Sequence, residues 1–210
     1  MKSKKIKYII GIDEVGRGAL AGPVVVAALA LKINFKINPL IIEKKSGKNF
    51  KLKLKDSKKL SLKQREKWLD FIKNQKIPYT ICAESPKIID KINISNAANL
   101  AASKALKKLI KNYRLKSKSY GIFLDGGLYI KNLKLKNLNT KTIIKGDEKI
   151  PAISLASIAA KVYRDRLMKK LQKKYPQYDF IHNVGYGTKT HIKAIKKRGF
   201  SKIHRRTFKI

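Results

Sequence analysis

An apolar, β-type run over residues 6–12 ends in two adjacent acids, Asp13-Glu14, and a Gly16-Arg17-Gly18 turn follows at once. Two carboxylates at a strand end can hold a hard divalent cation, and two glycines let backbone amides come close to a phosphate or sugar. The pattern recurs. Residues 120–124 are apolar and end in Asp125-Gly126-Gly127, and residues 142–144 are β-branched and end in Lys145-Gly146-Asp147. In open α/β sheets, sites form at strand ends. Asp13, Asp125 and Asp147 are therefore expected to converge, although they are far apart in sequence.

The remaining segments supply the scaffold. Residues 23–31 form a second apolar run, and the glycine-rich turn predicts a hairpin-like connection to the first. Ser61-Leu62-Lys63-Gln64 is a capping box. It predicts a helix to about Asn74 that buries Leu62, Leu69 and Ile72, with Trp68 beside them. Residues 78–84 read as a strand. Ser95 is expected to cap a helix over 96–113 with Leu106, Leu109, Ile110 and Tyr113 on one face. A long helix is expected over 152–175, stopped by Pro176, and a short one near 190–198. Residues 32–55 are Lys-rich, with short apolar alternation around Phe50, Leu52 and Leu54, and read as a loop or a short exposed strand. Strands and helices alternate after a strand-rich start, so the expected fold is a mixed α/β sheet covered by helices. One domain is expected over 1–176, with a small, basic, helical C-terminal extension over 177–210 that is not an independent domain.

The 210 residues carry 51 Lys and Arg against 13 Asp and Glu, a net charge of +38. This balance favours a nucleic-acid partner through counterion release and steering. It fits drift toward A/T-rich codons equally well, because only eight of the basic residues are Arg. Six of those eight, Arg17, Arg164, Arg166, Arg198, Arg205 and Arg206, lie in the segments that carry motifs. A guanidinium kept where lysine was the easy choice suggests a need for its planar, multi-donor fork. The single Cys82 cannot form an internal disulfide, which fits a reducing cytosol, and it is expected as a small core residue. The longest apolar stretch, 19–31, is too short for a membrane span and holds Gly22 and Pro23. Asp13, Glu14 and Arg17 interrupt any signal-peptide pattern. The expectation is a cytoplasmic chain with no membrane partner.

Each acid alone reads equally as a turn residue or a helix cap. Four acids gathered in one place, Asp13, Glu14, Asp125 and Asp147, would repel one another and raise their own pKa values. Two divalent cations would balance the four charges, and hard oxygen donors with few His or Cys select Mg²⁺ or Mn²⁺ over zinc. Two such ions suit in-line displacement at phosphorus and cleavage of a phosphodiester. No serine–histidine or cysteine–histidine arrangement points to a covalent route.

Gly11-Ile12-Asp13-Glu14-Val15-Gly16-Arg17-Gly18, followed by Ala21-Gly22-Pro23-Val24-Val25, resembles the opening of ribonuclease HII, a type 2 ribonuclease H. Asp56-Ser57-Lys58-Lys59-Leu60-Ser61 is similar to that family's lysine motif, and Leu124-Asp125-Gly126 to its third acidic site. Lys145-Gly146-Asp147 with the segment 154–165 resembles its fourth site and following helix. Gly185-Tyr186-Gly187-Thr188 with His191 resembles its tyrosine segment, and His204-Arg205-Arg206-Thr207-Phe208 its tail. The resemblance spans residues 6 to 208. It implies a ribonuclease H-like fold and hydrolysis of RNA in RNA–DNA hybrids. It also implies incision 5′ of a lone ribonucleotide in duplex DNA, leaving 5′-phosphate and 3′-hydroxyl ends. By the same resemblance Asp13, Glu14, Asp125 and Asp147 bind the metals, and Gly16-Arg17-Gly18 read the ribose 2′-hydroxyl that distinguishes RNA from DNA. Tyr186 stacks on the adjacent deoxyribose, and Lys58 contacts backbone phosphate.

Some positions depart from the family pattern. Val184 stands where a basic residue usually precedes Gly-Tyr, and the 32–55 segment is long. Asp165, inside the long helix, is expected as a salt-bridge partner of a neighbouring arginine and not as a ligand, and His182, His191 and His204 as structural or phosphate-facing. The sister family, ribonuclease HIII, has threonine at the position of Arg17. A basic, non-catalytic RNA-binding protein explains the charge without requiring acids at strand ends. A monomer is expected. A replication clamp is a conceivable partner, but the C-terminal Thr207-Phe208-Lys209-Ile210 holds no clear docking motif.

Overall fold

The computed structural model describes residues 6–37, 40–43, 49–52, 54, 57–116, 119–130 and 140–210. Asp56 of the lysine motif lies outside them.

Strands β1 (Tyr8–Val15) and β2 (Val24–Lys32) form the antiparallel pair expected from the glycine-rich turn. With β5 (Tyr79–Glu84), β6 (Tyr120–Asp125) and β7 (Thr140–Ile143) they make a five-stranded mixed sheet in the order β5-β2-β1-β6-β7. The β1–β6 and β6–β7 pairs are parallel, and β2–β5 is antiparallel. Part of the 32–55 segment is a separate two-stranded sheet, β3 (Leu40–Glu43) with β4 (Asn49–Leu52).

Both faces of the sheet are covered, so β2 is apolar at nearly every position. Val24, Val26, Ala28 and Ala30 face one core with α3 (Ile94–Asn112), whose Ala97, Ala98, Ala101, Ala102 and Ala105 let the helix sit close. Val25, Ala27, Leu29 and Leu31 face the other core with α1 (Leu62–Asn74) and the long helix α5 (Pro151–Lys174). Cys82 is half-buried against the α3-side core. A third cluster joins Leu20 and Ala21 to Met168, Tyr178, Phe180 and Ile195. It seats the C-terminal segment, with α6 (Phe180–Asn183) and α7 (Lys189–Arg198), beside the glycine turn. No helix among the described residues is long and apolar enough to cross a membrane.

The capping box forms as expected: Ser61 N–H donates to Gln64 Oε1 at 2.9 Å, and Gln64 N–H to Ser61 Oγ at 3.3 Å. Trp68, Leu69 and Ile72 are buried, but Leu62, the first residue of α1, is 49% exposed. Ser95 does not cap α3. Asn93 does, at φ 63°, with its Oδ1 accepting from Asn96 N–H at 3.0 Å. That kink joins α3 to a short helix, α2 (Pro86–Ile92), which the sequence pattern did not reveal. Tyr113 lies past the end of α3 and is 43% exposed. Strand β7 stops at Ile143, leaving Ile144 77% exposed.

Candidate active site

Strand parity decides where the acids point. On β1, Ile10 and Ile12 enter the α3-side core, so Gly11 and Asp13 face α5. On β6, Tyr120, Ile122 and Leu124 enter the same core, so Asp125 also faces α5. The parallel register pairs Ile12 with Leu124. Asp13 and Asp125 therefore follow side by side on adjacent strands, whose backbones lie roughly 4.8 Å apart. Asp147 arrives differently. It sits in α4 (Gly146–Lys149), a single turn after β7, and not at a strand end as the sequence pattern suggested. Ser154 Oγ of α5 donates to the Asp147 carbonyl and ties that turn to the long helix.

Asp13, Glu14, Asp125 and Asp147 line one open cavity of about 380 Å³. Gly16, Arg17, Gly18, Lys58 and Tyr186 line the same cavity. Every site residue named from the sequence is thus brought together. The sequence pattern passed over four further lining residues: Val15 and the polar Ser57, Ser157 and Lys161. For Ser157 and Lys161 a signal was available, since Ser154, Ser157 and Lys161 recur at helical spacing on one face of α5.

The carboxylates lie in an environment that resists their charge. Burial, then Glu14 and Asp125 nearby, raises the Asp13 pKa well above its ordinary value. Burial also raises that of Glu14, with Arg17 opposing. Asp13 Oδ1 accepts from Glu14 N–H at 2.7 Å, and Asp125 Oδ1 from Gly146 N–H at 2.7 Å. Among the described residues, no three acid, imidazole or thiol side chains already converge as a cation cage. The donor set nonetheless suits a hard cation: Glu14 Oε2 is buried with no hydrogen-bond partner among the described residues, and added positive charge relieves the repulsion around Asp13.

A raised pKa means that the folded chain holds this proton more tightly than the unfolded chain does. The resulting stabilisation is complete below the ordinary value of 3.8 and is lost as pH rises through the folded value. Asp13→Asn should therefore raise the melting temperature of the metal-free protein by a few degrees at pH 7, with the gain shrinking toward pH 4. Thermal melts in chelator across that range check this. A gain that does not vary with pH would mean that charge is not its source.

Arginines organise the loops around the cavity. Arg17 donates to Glu14 Oε1 at 3.0 Å, Gly127 O at 3.3 Å and Ser95 Oγ at 2.8 Å. Arg164, 1% exposed, donates to Pro23 O, Ala21 O and Val184 O. Gly16 has φ 86°, and a Cβ there would meet Arg164 Nε at 2.2 Å, so only glycine fits. Arg65, which the motifs did not single out, donates to the Ser57 and Leu60 carbonyls that frame Lys58, and pairs with Asp165 at 3.2 Å. Asp165 is thus a salt-bridge partner of an arginine, though of Arg65 on α1 and not of a neighbour in its own helix. Arg166 makes an exposed pair with Glu66.

His191 and His204 are buried, with Nε2 atoms 3.0 Å apart. Ser201 N–H donates to His204 Nδ1, so His204 carries its proton on Nε2 and donates to His191. His191 in turn donates from Nδ1 to Tyr186 O at 2.8 Å. Burial, then the neighbouring His191, lowers the His204 pKa to about 4. The pair is a neutral brace for the Tyr186 loop. His182 is exposed and pairs with Asp179.

A family model for Ribonuclease HII matches residues 10–210. A ribonuclease HII of Clostridium beijerinckii is 43% identical over 202 residues, 96% of this chain and 67% of that protein. The chain spans about two thirds of the length of the curated relatives it matches. Among solved structures, one from the PCNA:RNase HII complex of Archaeoglobus fulgidus matches with a TM-score of 0.65 at 24% identity, over 97% of this chain and 96% of that one. Bst-RNase HIII in complex with Mn²⁺ matches with a TM-score of 0.70 at 18% identity, over 99% and 68%. These two share the ribonuclease H-like fold and do not by themselves separate the HII branch from HIII. The sequence match does: the chain belongs to the ribonuclease HII family, and thereby to the metal-dependent endoribonucleases.

Proposed function

We propose that this cleft hydrolyses the RNA strand of RNA–DNA hybrids and incises duplex DNA on the 5′ side of a lone embedded ribonucleotide, leaving 5′-phosphate and 3′-hydroxyl ends. The observation that carries this reading is the meeting of four acids and the Gly16-Arg17-Gly18 turn in one cavity. Charge for cutting a phosphodiester and backbone for sensing a sugar stand within reach of one nucleotide.

Asp13, Glu14, Asp125 and Asp147 would hold two Mg²⁺ or Mn²⁺ ions. When bound, such ions act as Lewis acids on the phosphate and offset charge on the leaving oxygen. Lys58 and Lys161, which line the same cavity, supply positive charge for the flanking phosphates. The Gly16–Gly18 backbone meets the 2′-hydroxyl, which is the only group that separates RNA from DNA at that site. Tyr186 is half-buried, with the Arg164 guanidinium 5.5 Å from its ring centre, and its ring stacks on the neighbouring deoxyribose. Residues 177–210 serve as a substrate-contacting extension of the catalytic domain. One chain supplies the whole cleft, so the working unit is a monomer, acting in the cytoplasm. The same reading allows a replication clamp as partner, because one structure that shares this fold is a PCNA:RNase HII complex.

The test is a duplex carrying one ribonucleotide, incubated with and without Mg²⁺. The expected result is a single metal-dependent nick 5′ of the ribonucleotide. Binding with no metal-dependent nick would replace this reading with that of a basic nucleic-acid-binding module.

A further inference from the structure

The tail residue Arg205 makes a set of contacts that the cleavage chemistry does not require. It is 1% exposed and lies 189 positions from Gly16 in sequence. All three guanidinium nitrogens donate to backbone carbonyls of the glycine turn and the segment after it: Nη2 to Gly16 O at 2.7 Å, Nη1 to Arg17 O at 2.9 Å, and Nε to Gly22 O at 3.0 Å. Among the described residues, no carboxylate pairs with this guanidinium. Burial, with Arg164 nearby, lowers its pKa to about 9, so it stays charged at neutral pH. A buried charge is costly unless well bonded, and here its bonds go to these carbonyls.

The consequence follows from peptide geometry. In a trans peptide the C=O and the next residue's N–H point in opposite directions, and there is no cis bond among the described residues. Drawing the Gly16 carbonyl toward Arg205 aims the Arg17 N–H the other way. Drawing the Arg17 carbonyl inward does the same for the Gly18 N–H. Neither N–H finds an acceptor among the described residues, and both residues line the cavity.

We propose that Arg205 is a positioning residue that presets two peptide planes of the Gly16-Arg17-Gly18 turn, so that the Arg17 and Gly18 N–H groups face the substrate sugar as ready donors. This rests on the reading of the turn as the 2′-hydroxyl sensor, and it adds the element that orients the sensor. The Arg205 N–H also donates to Leu20 O at 2.8 Å. Asp90 holds the next two residues, accepting from Arg206 N–H at 3.0 Å and Thr207 N–H at 3.1 Å. The C-terminal tail is thereby part of the specificity apparatus, although its side chains need not touch the nucleic acid.

Arg205→Lys is the test. It keeps the charge, but a single ammonium cannot serve three carbonyls in one plane. Affinity is measured in metal-free buffer for a duplex with one ribonucleotide and for the same duplex in all-DNA form. The wild type should prefer the first. The variant should lose about tenfold of that preference, the worth of one well-aimed hydrogen bond, with all-DNA affinity changed by less than about twofold. An intact preference in a folded variant overturns the proposal and leaves the turn's role standing. A wild type with no preference at all removes the sensor reading and the proposal with it. Should the variant not fold, wild-type NMR decides. Exchange-protected Arg205 Nη protons, together with Arg17 and Gly18 amide signals that move only with the ribonucleotide duplex, support the proposal. Unprotected Nη protons or unmoved amide signals overturn it.

Discussion

Asp125→Asn is expected to bind an RNA–DNA hybrid and leave it uncut. The substitution is conservative in shape, and the remaining carbonyl oxygen can still accept the Gly146 N–H now 2.7 Å from Asp125 Oδ1. What disappears is one negative charge and one oxygen ligand in the cavity. Turnover should fall by more than about a hundredfold, as for loss of a direct metal ligand. Affinity for the hybrid should change little, since the lysines and the glycine turn are untouched. The metal-free protein should melt at a higher temperature, because Asp125 is among the charges that raise the pKa values of Asp13 and Glu14. Higher stability with lost activity is the signature of a site that works against its scaffold. Single-turnover cleavage, hybrid binding and a thermal melt in chelator together check this. Activity within about tenfold of the wild type would remove Asp125 from the set of cation ligands.

The parts of this architecture legible in the sequence are those set by local pattern. The runs that became β1, β2 and β6 are apolar over enough residues to be read directly, and parity then aims Asp13 and Asp125 at the same side. The capping box of α1 and the stop at Pro176 are likewise local. The sequence pattern makes Asp147 a strand-end acid, yet it rides on a one-turn helix, because β7 ends early and Gly146 must turn to donate to Asp125. Ser95 looked like a cap, but Asn93 takes the positive-φ junction between two helices, which leaves the Ser95 hydroxyl for Arg17. Leu62 fits the apolar stripe of α1 but begins the helix, where no neighbour covers it. The arginine forks were suspected from composition, but their targets were not legible. A guanidinium that bonds main-chain carbonyls leaves no complementary residue type to find. Arg164 and Arg205 therefore read as motif letters until the fold brings the tail beside the glycine turn.

Gly11→Ala is expected to be among the most damaging single-methyl changes in the chain. Gly11 lies in the middle of β1, two residues before Asp13 and on the same face. A Cβ there would stand 2.2 Å from the Ala152 carbonyl carbon, 2.3 Å from Ile153 N and 2.4 Å from Ala152 O. These are backbone atoms in the first turn of α5, so no side-chain rotation can relieve the clash. Either the helix start lifts off the sheet or β1 bends. Overpacking of this kind costs about 3 kcal/mol or more, and for a chain of this size that corresponds to a fall in melting temperature of roughly 10 °C. Activity should fall as well, even at temperatures where the variant is folded. The same helix turn carries Ser154, whose hydroxyl holds the Asp147 carbonyl, and Ser157 lies one turn further along. Moving it shifts one acid relative to the other three. Saturating Mn²⁺ should restore part of the stability, since cation binding favours the native arrangement of the acids, and less of the turnover. A variant that melts within a degree or two of the wild type would mean that α5 and β1 do not meet at Gly11, and the placement of Asp147 in the same cavity as Asp13 would lose its structural basis.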